Sequence, residues 1–371
     1  MELKNINKLP VITWRWLKVN DLDLNLEETT NIPDYKKDYI KQFRELKNGK
    51  VVEIKKEINS VDYSNKFKTI GESYGVSKGL LNLAESNYNA PLSIKLDKNS
   101  RISQPIIIDY SMSKENPVLI DNNTIVAEEN SEITVIINYK TNDEVEAFHN
   151  GITKIYAMDG AKVNIIKVQI MNENSKHFDS VMGFIGYGSK VNYISLEIGA
   201  SISVTNYVNN LDEPTGEAKL KSIYFGDGNK ITDLSYKMNH SAMRTLSNIE
   251  TRGVLKDKSK KIFRGTIDFK KGSVKAKGSE EEYAILLDPR VKSDAVPLLL
   301  CAEDDVEGQH AASAGKINED KLFYLMSRGF SEKEAKKLII EAAFRPIIDE
   351  IPSEDIKNII DSEIQRRIIN D

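Results

Sequence analysis

The chain has one cysteine, Cys301, in 371 residues. An internal disulfide is therefore impossible, and so is a self-contained four-thiolate cluster site. Such sparse cysteine use suits a reducing compartment. Histidine is also scarce. His149, His177, His240 and His310 are all there are, and none stands in an H-x-H or H-E-x-x-H ligand pair. No run reaches the roughly 18 apolar residues of a membrane helix. The opening Met1-Glu2-Leu3-Lys4-Asn5-Ile6-Asn7 has no apolar signal core. There is no basic excess: 52 Lys and Arg stand against 56 Asp and Glu, a net charge of −4, which argues against a nucleic-acid binder. Phosphate-loop and G-x-S-x-G signatures are missing. Gly183-Phe184-Ile185-Gly186-Tyr187-Gly188 is glycine-rich, but its spacing suits a turn between strands and not a dinucleotide fold. These absences predict a soluble, cytoplasmic protein with neither membrane nor nucleic acid as partner.

What is present divides into three stretches. Residues 1–88 read as a small, partly helical N-terminal region. Trp14 and Trp16 are expected to anchor it on a core. Tyr39, Ile40, Phe43 and Leu46 fall at helical spacing, and Gly79 to Ser86 form a second short helix. From 89 to 305, β-branched and polar residues alternate in short runs, as in Glu132-Ile133-Thr134-Val135-Ile136-Ile137 and Lys162-Val163-Asn164-Ile165-Ile166. Similar turns precede Ile133, Val163, Val191 and Ile231, with a looser copy at Lys271-Gly272-Ser273-Val274. A spacing near 30 suggests the coils of a β-solenoid, with residues 209–216 inserted in one of them. An ordinary β-sandwich with regular turns stays open on this pattern alone.

Residues 306–371 read as a helical domain. Asn318 caps its first helix. Ser331 and Glu334 form a capping box before the second, with Phe330 and Ala335 placed as a hydrophobic staple. Pro352-Ser353 opens the third, whose apolar face is Ile356, Ile359, Ile360 and Ile364. These helices could pack on the end of the solenoid or leave an apolar groove for a partner. His149 and His177 sit in turn-like polar context and read as structural, while His240 could hydrogen-bond inside the solenoid. Cys301, in Leu298-Leu299-Leu300-Cys301-Ala302, reads first as a small buried hydrophobe and second as a thiolate, nine positions before His310.

His310 carries a further signal. The block Glu307-Gly308-Gln309-His310-Ala311-Ala312-Ser313-Ala314-Gly315-Lys316-Ile317 and the following Leu322-Phe323-Tyr324-Leu325-Met326-Ser327-Arg328-Gly329 resemble the C-terminal region of the SufB/SufD family, the scaffold subunits of SUF iron–sulfur cluster assembly. Arg252-Gly253-Val254-Leu255, Phe263-Arg264-Gly265-Thr266-Ile267 and Asp294-Ala295-Val296-Pro297 extend the match. Val291 stands where the SufB branch has a cysteine, so the resemblance is strongest to the SufD branch. SufD members often have a cysteine where Gly308 stands here.

The resemblance implies a right-handed parallel β-helix core with helical ends. It also implies a scaffold role without catalysis of its own. The partners would be a SufB-like scaffold in a heterodimer, joined along Val296 to Ala302 through Val296, Leu298 and Leu300, and a SufC-like ABC ATPase on the helical domain, for which Lys336 is a probe. ATP would enter only through that ATPase. His310, with Cys301 as the weaker candidate, would offer a ligand to iron or a transient cluster. A flavin accompanies such complexes, and the sequence assigns it no site. The competing expectation is a self-associating structural homodimer or a carbohydrate-binding β-helix protein.

Overall fold

The computed structural model describes residues 2–13, 15–25, 32–42, 52–57 and 74–369. From Ala90 onward, successive strands of mostly seven to ten residues alternate between two sheets. Within each sheet the pairing is parallel and in register. Ile133 lies beside Val163, Val163 beside Val191, Val191 beside Ala218, Ala218 beside Ser247, Ser247 beside Gly278 and Gly278 beside Gly308. Subtracting these numbers gives coils of 30, 28, 27, 29, 31 and 30 residues. The result is a β-solenoid of about eight turns. Alternate side chains point inward, so Ile133, Val135 and Ile137 stack with Val163, Ile165 and Val191 in one continuous core.

One reading of the repeats is corrected. Ile231 does not follow Val191 in register. It pairs with Ile202 and Lys260 in the other sheet. Residues 209–216 are likewise no insertion: they join the strands Ile202–Leu211 and Glu217–Gly226. The two corners of a coil share the same turn chemistry. Left-handed residues occur at Asn130, Gly160, Gly188 and Thr215 on one corner and at Gly228 and Asp257 on the other. The text of a turn therefore does not tell which corner it makes.

In the N-terminal region, the described residues around Asn7 and Val19 lie against the ten-stranded sheet. Asn7 Nδ2 donates to Thr205 O at 3.0 Å and to Asp233 Oδ1 at 2.8 Å, and Arg264 Nε donates to Val19 O at 2.8 Å. Trp16 is not buried as the expected anchor would be. Trp16 is 74% exposed, and Leu9 and Val19 pack on Val296 instead; Trp14 lies outside the described residues. The helix expected from Tyr39 is also corrected. Ile40–Gln42 is a strand pairing antiparallel with Ile107 and Ile108, because the sheet edge there takes up its backbone groups; Phe43 and Leu46 lie outside the described residues. Helix α1 (Lys78–Ser86) forms as expected, capped by Ser77, and buries Leu80 and Ala84.

Three further helices follow the solenoid: α2 (Glu319–Ser327), α3 (Glu332–Ile348) and α4 (Glu354–Ile369). Asn318 caps α2, and the Ser331–Glu334 capping box starts α3. The helical part does not begin at residue 306. Glu307–Lys316 is the last strand, and its small residues hide the alternation that marks the others. Nor do the helices close the end of the solenoid. Ile340, Phe344, Ile347, Ile348, Ile360 and Ile364 lie along the flank of the nine-stranded sheet against Ile194, Ile223, Phe225 and Val254. Each such buried side chain stabilises by about 1.5–3 kcal/mol. Ion pairs fix the register, with Arg367 Nη1 2.8 Å from Asp227 Oδ2 and Lys256 Nζ donating to Arg367 O. Ile359 is turned outward, and Ile368 takes its place on the buried face of α4.

Candidate functional site

The strands Lys292–Cys301 and Glu307–Lys316 form the terminal rung. Among the described residues each is the outermost strand of its sheet, pairing only with Lys260–Phe269 and Lys277–Leu286 respectively. The amides of Lys292, Ala302 and Glu307 donate inward, to Ser259, Phe269 and Ala276. In a parallel ladder alternate residues bond to opposite sides. The amides of His310, Ala312 and Ala314 therefore face the open edge. Pro297 falls on an outward position of the other strand, where its missing N–H breaks no ladder bond.

The interior faces are fixed by close approaches. A Cβ on Gly308 would press on Leu299, one on Gly278 on Ile267, and one on Gly265 on the carboxyl of Glu280. The lumen-facing residues are thus Gly278, Glu280 and Glu282 on the penultimate rung and Gly308, His310 and Ala312 on the last. His310 pairs in register with Glu280, and its side chain is exposed because no further rung covers it. Glu280 is only 2% exposed, and neither carboxyl oxygen has a hydrogen-bond partner. Burial, and then the neighbouring Glu282, pushes its carboxyl up to about 8. Glu282 is satisfied: Lys261 Nζ lies 2.5 Å away and Tyr224 Oη donates at 2.9 Å.

The other expected site residues are placed differently. Cys301 is exposed and not a buried hydrophobe, because it ends the last rung with nothing stacked above it; its thiol donates to Glu303 O at 3.1 Å. The approaches of Leu299 to Gly308 and of Gly265 to Glu280 put Pro297 opposite His310. Cys301 lies four residues further along, about 13 Å down the strand, so the structure does not bring the two together. Val296 has its side chain covered by Leu9 and Val19, while Leu298 and Leu300 are half-buried on the same outer face. By the parity of Lys292 and Ala302 their backbone groups bond inward as well, so the open edge is formed by the residues between them. Lys336 is half-buried beside Glu332, 2.6 Å away, and is less exposed than a surface lysine. Among the described residues, no group of three or more His, Cys, Asp and Glu side chains converges as a ready metal site.

Sequence reasoning missed a polar network deep in the lumen. His149 and His177 are strand residues, fully buried and paired in register, not turn residues. Their Nδ1 atoms lie 2.7 Å apart, and His149 Nε2 lies 2.5 Å from Asp121 Oδ1. Burial would raise the Asp121 carboxyl, but the charge and hydrogen bond of His149 hold it below its ordinary value. Burial, with the charges of His149 and Lys167, holds His177 well below the usual imidazole range. Lys167 reaches across to Asp179 at 2.8 Å. Glu197 accepts from Ser195 and Ser203, and burial pushes it up to about 7. His240, as expected, bonds within the solenoid, to Thr245 and Ser247, each at 2.7 Å. The available signal for the missed pair was the spacing: 177 less 149 is 28, one coil.

On the flank, α2 buries none of its residues. Phe323 is 74% exposed, and Tyr324, Leu325, Leu338, Ile339 and Ala342 line an apolar groove between α2 and α3.

Together these features define a β-solenoid with a free pairing edge at one end and an apolar helical groove on its side. Residues 110–343 match the family model described as SUF system FeS cluster assembly, SufBD core domain, and the chain belongs to that family. It is 28% identical over 282 residues to the iron–sulfur cluster assembly protein SufD of Bacillus subtilis (strain 168), covering 76% of this chain and 64% of that protein. It is 26% identical over 267 residues to an iron–sulfur cluster assembly SufBD family protein of Staphylococcus epidermidis (strain ATCC 12228), covering 70% of this chain and 56% of that one. A SufBD family protein of Staphylococcus aureus (strain USA300) gives the same identity, length and coverages. The chain thus spans somewhat over half the length of these relatives. Among its described residues no helix is long and apolar enough to cross a membrane.

Proposed function

We propose that this chain is a SufD-like scaffold subunit of a cytoplasmic SUF complex. It pairs with a SufB-like scaffold along the terminal rung and carries a SufC-like ABC ATPase on the groove between α2 and α3. Iron and sulfide are the cargo, and ATP is used only by the ATPase partner. The observation that carries the reading is the open rung, where two ten-residue edge strands have no further strand paired to them among the described residues. Such an edge favours strand addition by another chain. The family membership and the SufD relative support iron and sulfide as the cargo.

His310 would then stand at the seam between scaffolds. A neutral imidazole is a good ligand for iron, and the partner would supply thiolate. The test is co-expression with the host's SufB and SufC homologues and anaerobic purification, with native mass, iron and sulfide read on one sample. A complex of two ATPases and one copy of each scaffold is expected, losing its iron and sulfide on His310→Ala. A chain that stays alone, or pairs only with itself, overturns the reading in favour of a structural homodimer.

A further inference from the structure

Glu280 is a buried group near the terminal rung whose chemistry the preceding reading leaves unused. Its carboxyl sits in space that exists only because residue 265 is glycine: a Cβ there would overlap the carboxyl carbon and both oxygens. A buried carboxylate without a partner costs several kcal/mol of desolvation. Its neighbour Glu282 escapes that cost through Lys261 and Tyr224. Glu280 has no equivalent, since neither oxygen is bonded. His310 is its register partner one strand further out. Residues paired in register on parallel strands project to the same face, with their backbones about 4.8 Å apart. Both groups therefore face the same lumen, at its open end. One is a buried, unpartnered carboxyl, and the other is an exposed imidazole nitrogen.

We infer that Glu280 and His310 together form a two-ligand site for ferrous iron, in which Glu280 is the inner ligand and His310 the outer one. The inference rests on the proposed role of His310 and adds a second protein ligand from the same chain. A mixed carboxylate and imidazole set suits ferrous iron and other borderline divalent ions. Two ligands do not make a closed site, which agrees with the absence of a converging group of three among the described residues. The remaining positions are left to water in the isolated chain. Glu282 stays outside the set because its charge is already matched by Lys261.

The test uses the full chain, purified without metal under anaerobic conditions and titrated with ferrous iron, with cobalt(II) as an optical probe of ligand number. The variants are Glu280→Gln, Glu280→Met and His310→Ala. Glu281→Gln serves as the control, because Glu281 is exposed on the opposite face of the same strand. Each Glu280 variant should weaken iron binding by at least about tenfold and change the cobalt spectrum. Neither should lower the melting temperature, since each removes an unpartnered buried carboxyl. Glu281→Gln should change nothing. Unchanged iron affinity in both Glu280 variants, with loss in His310→Ala, overturns the role of Glu280 and leaves that of His310 standing. Loss in the Glu280 variants with unchanged binding in His310→Ala overturns the imidazole ligand and with it the pair. Binding unaffected in all three overturns both.

Discussion

The lumen of this solenoid holds more charge than an apolar core needs, and its residues set a pH dependence. Glu197 is fully buried, and its carboxyl rises from 4.5 to about 7. The unfolded chain ionises this group at lower pH than the folded one. Its contribution to stability is therefore whole below about pH 4.5 and is lost as pH rises to about 7. The lost stability is about 3 kcal/mol. Glu197→Gln keeps partners for Ser195 and Ser203 while removing the charge. The variant should melt above the wild type at pH 8, and the gap should close toward pH 5. A difference in melting temperature that does not vary with pH would contradict this origin. Sequence alone hid the network because polar residues inside a strand look like its solvent face. His149 and Asp121 differ from outward residues only in parity, and parity cannot be read until the register is known.

At the scale of elements, the C-terminal helices were the most legible part. Their signals are local: a capping box needs only Ser331 and Glu334, and a cap only Asn318. The strand Glu307–Lys316 was not legible, because it is made by its neighbour and not by its own pattern. Its run of Ala, Ser and Gly has no apolar period, and only in-register pairing with Lys277–Leu286 makes it a strand. The docking face of the helices was legible as composition and not as position. Leu338 shares helical spacing with the buried Ala335, yet it borders the open groove. Leu338→Asp should therefore leave the melting temperature almost unchanged, within about 0.5 kcal/mol of stability. It should abolish retention of the ATPase partner on a tagged complex. Retention of the ATPase by this variant would remove the groove as its seat. Lys336→Glu is a weaker probe, because reversing a charge beside Glu332 also disturbs the start of α3.

At the scale of the whole molecule, the solenoid is asymmetric: its flank is covered by α3 and α4, while its last rung is left bare. The repeat near 30 residues disclosed the coil, but not which rung is last, since nothing in a strand's own residues marks the lack of a successor. The bareness can be tested without touching a side-chain contact. The amide of Ala312 points to the open edge, so Ala312→Pro deletes one outward donor and keeps the inward ladder to Lys277–Leu286. It also places a ring where an incoming strand must lie. If two scaffolds join rung to rung, the variant should weaken their association by at least about tenfold, read by sedimentation of the co-purified pair. Its circular dichroism and melting temperature should stay close to wild type. Ser313→Pro is the contrasting change. Residue 313 has the inward parity of Glu307, whose amide bonds to Ala276, so that variant should destabilise the rung itself. Equal effects of the two substitutions on folding and on pairing would mean that the free edge is not the joining surface. Loss of pairing in Ala312→Pro with the fold intact is the outcome that the bare rung requires.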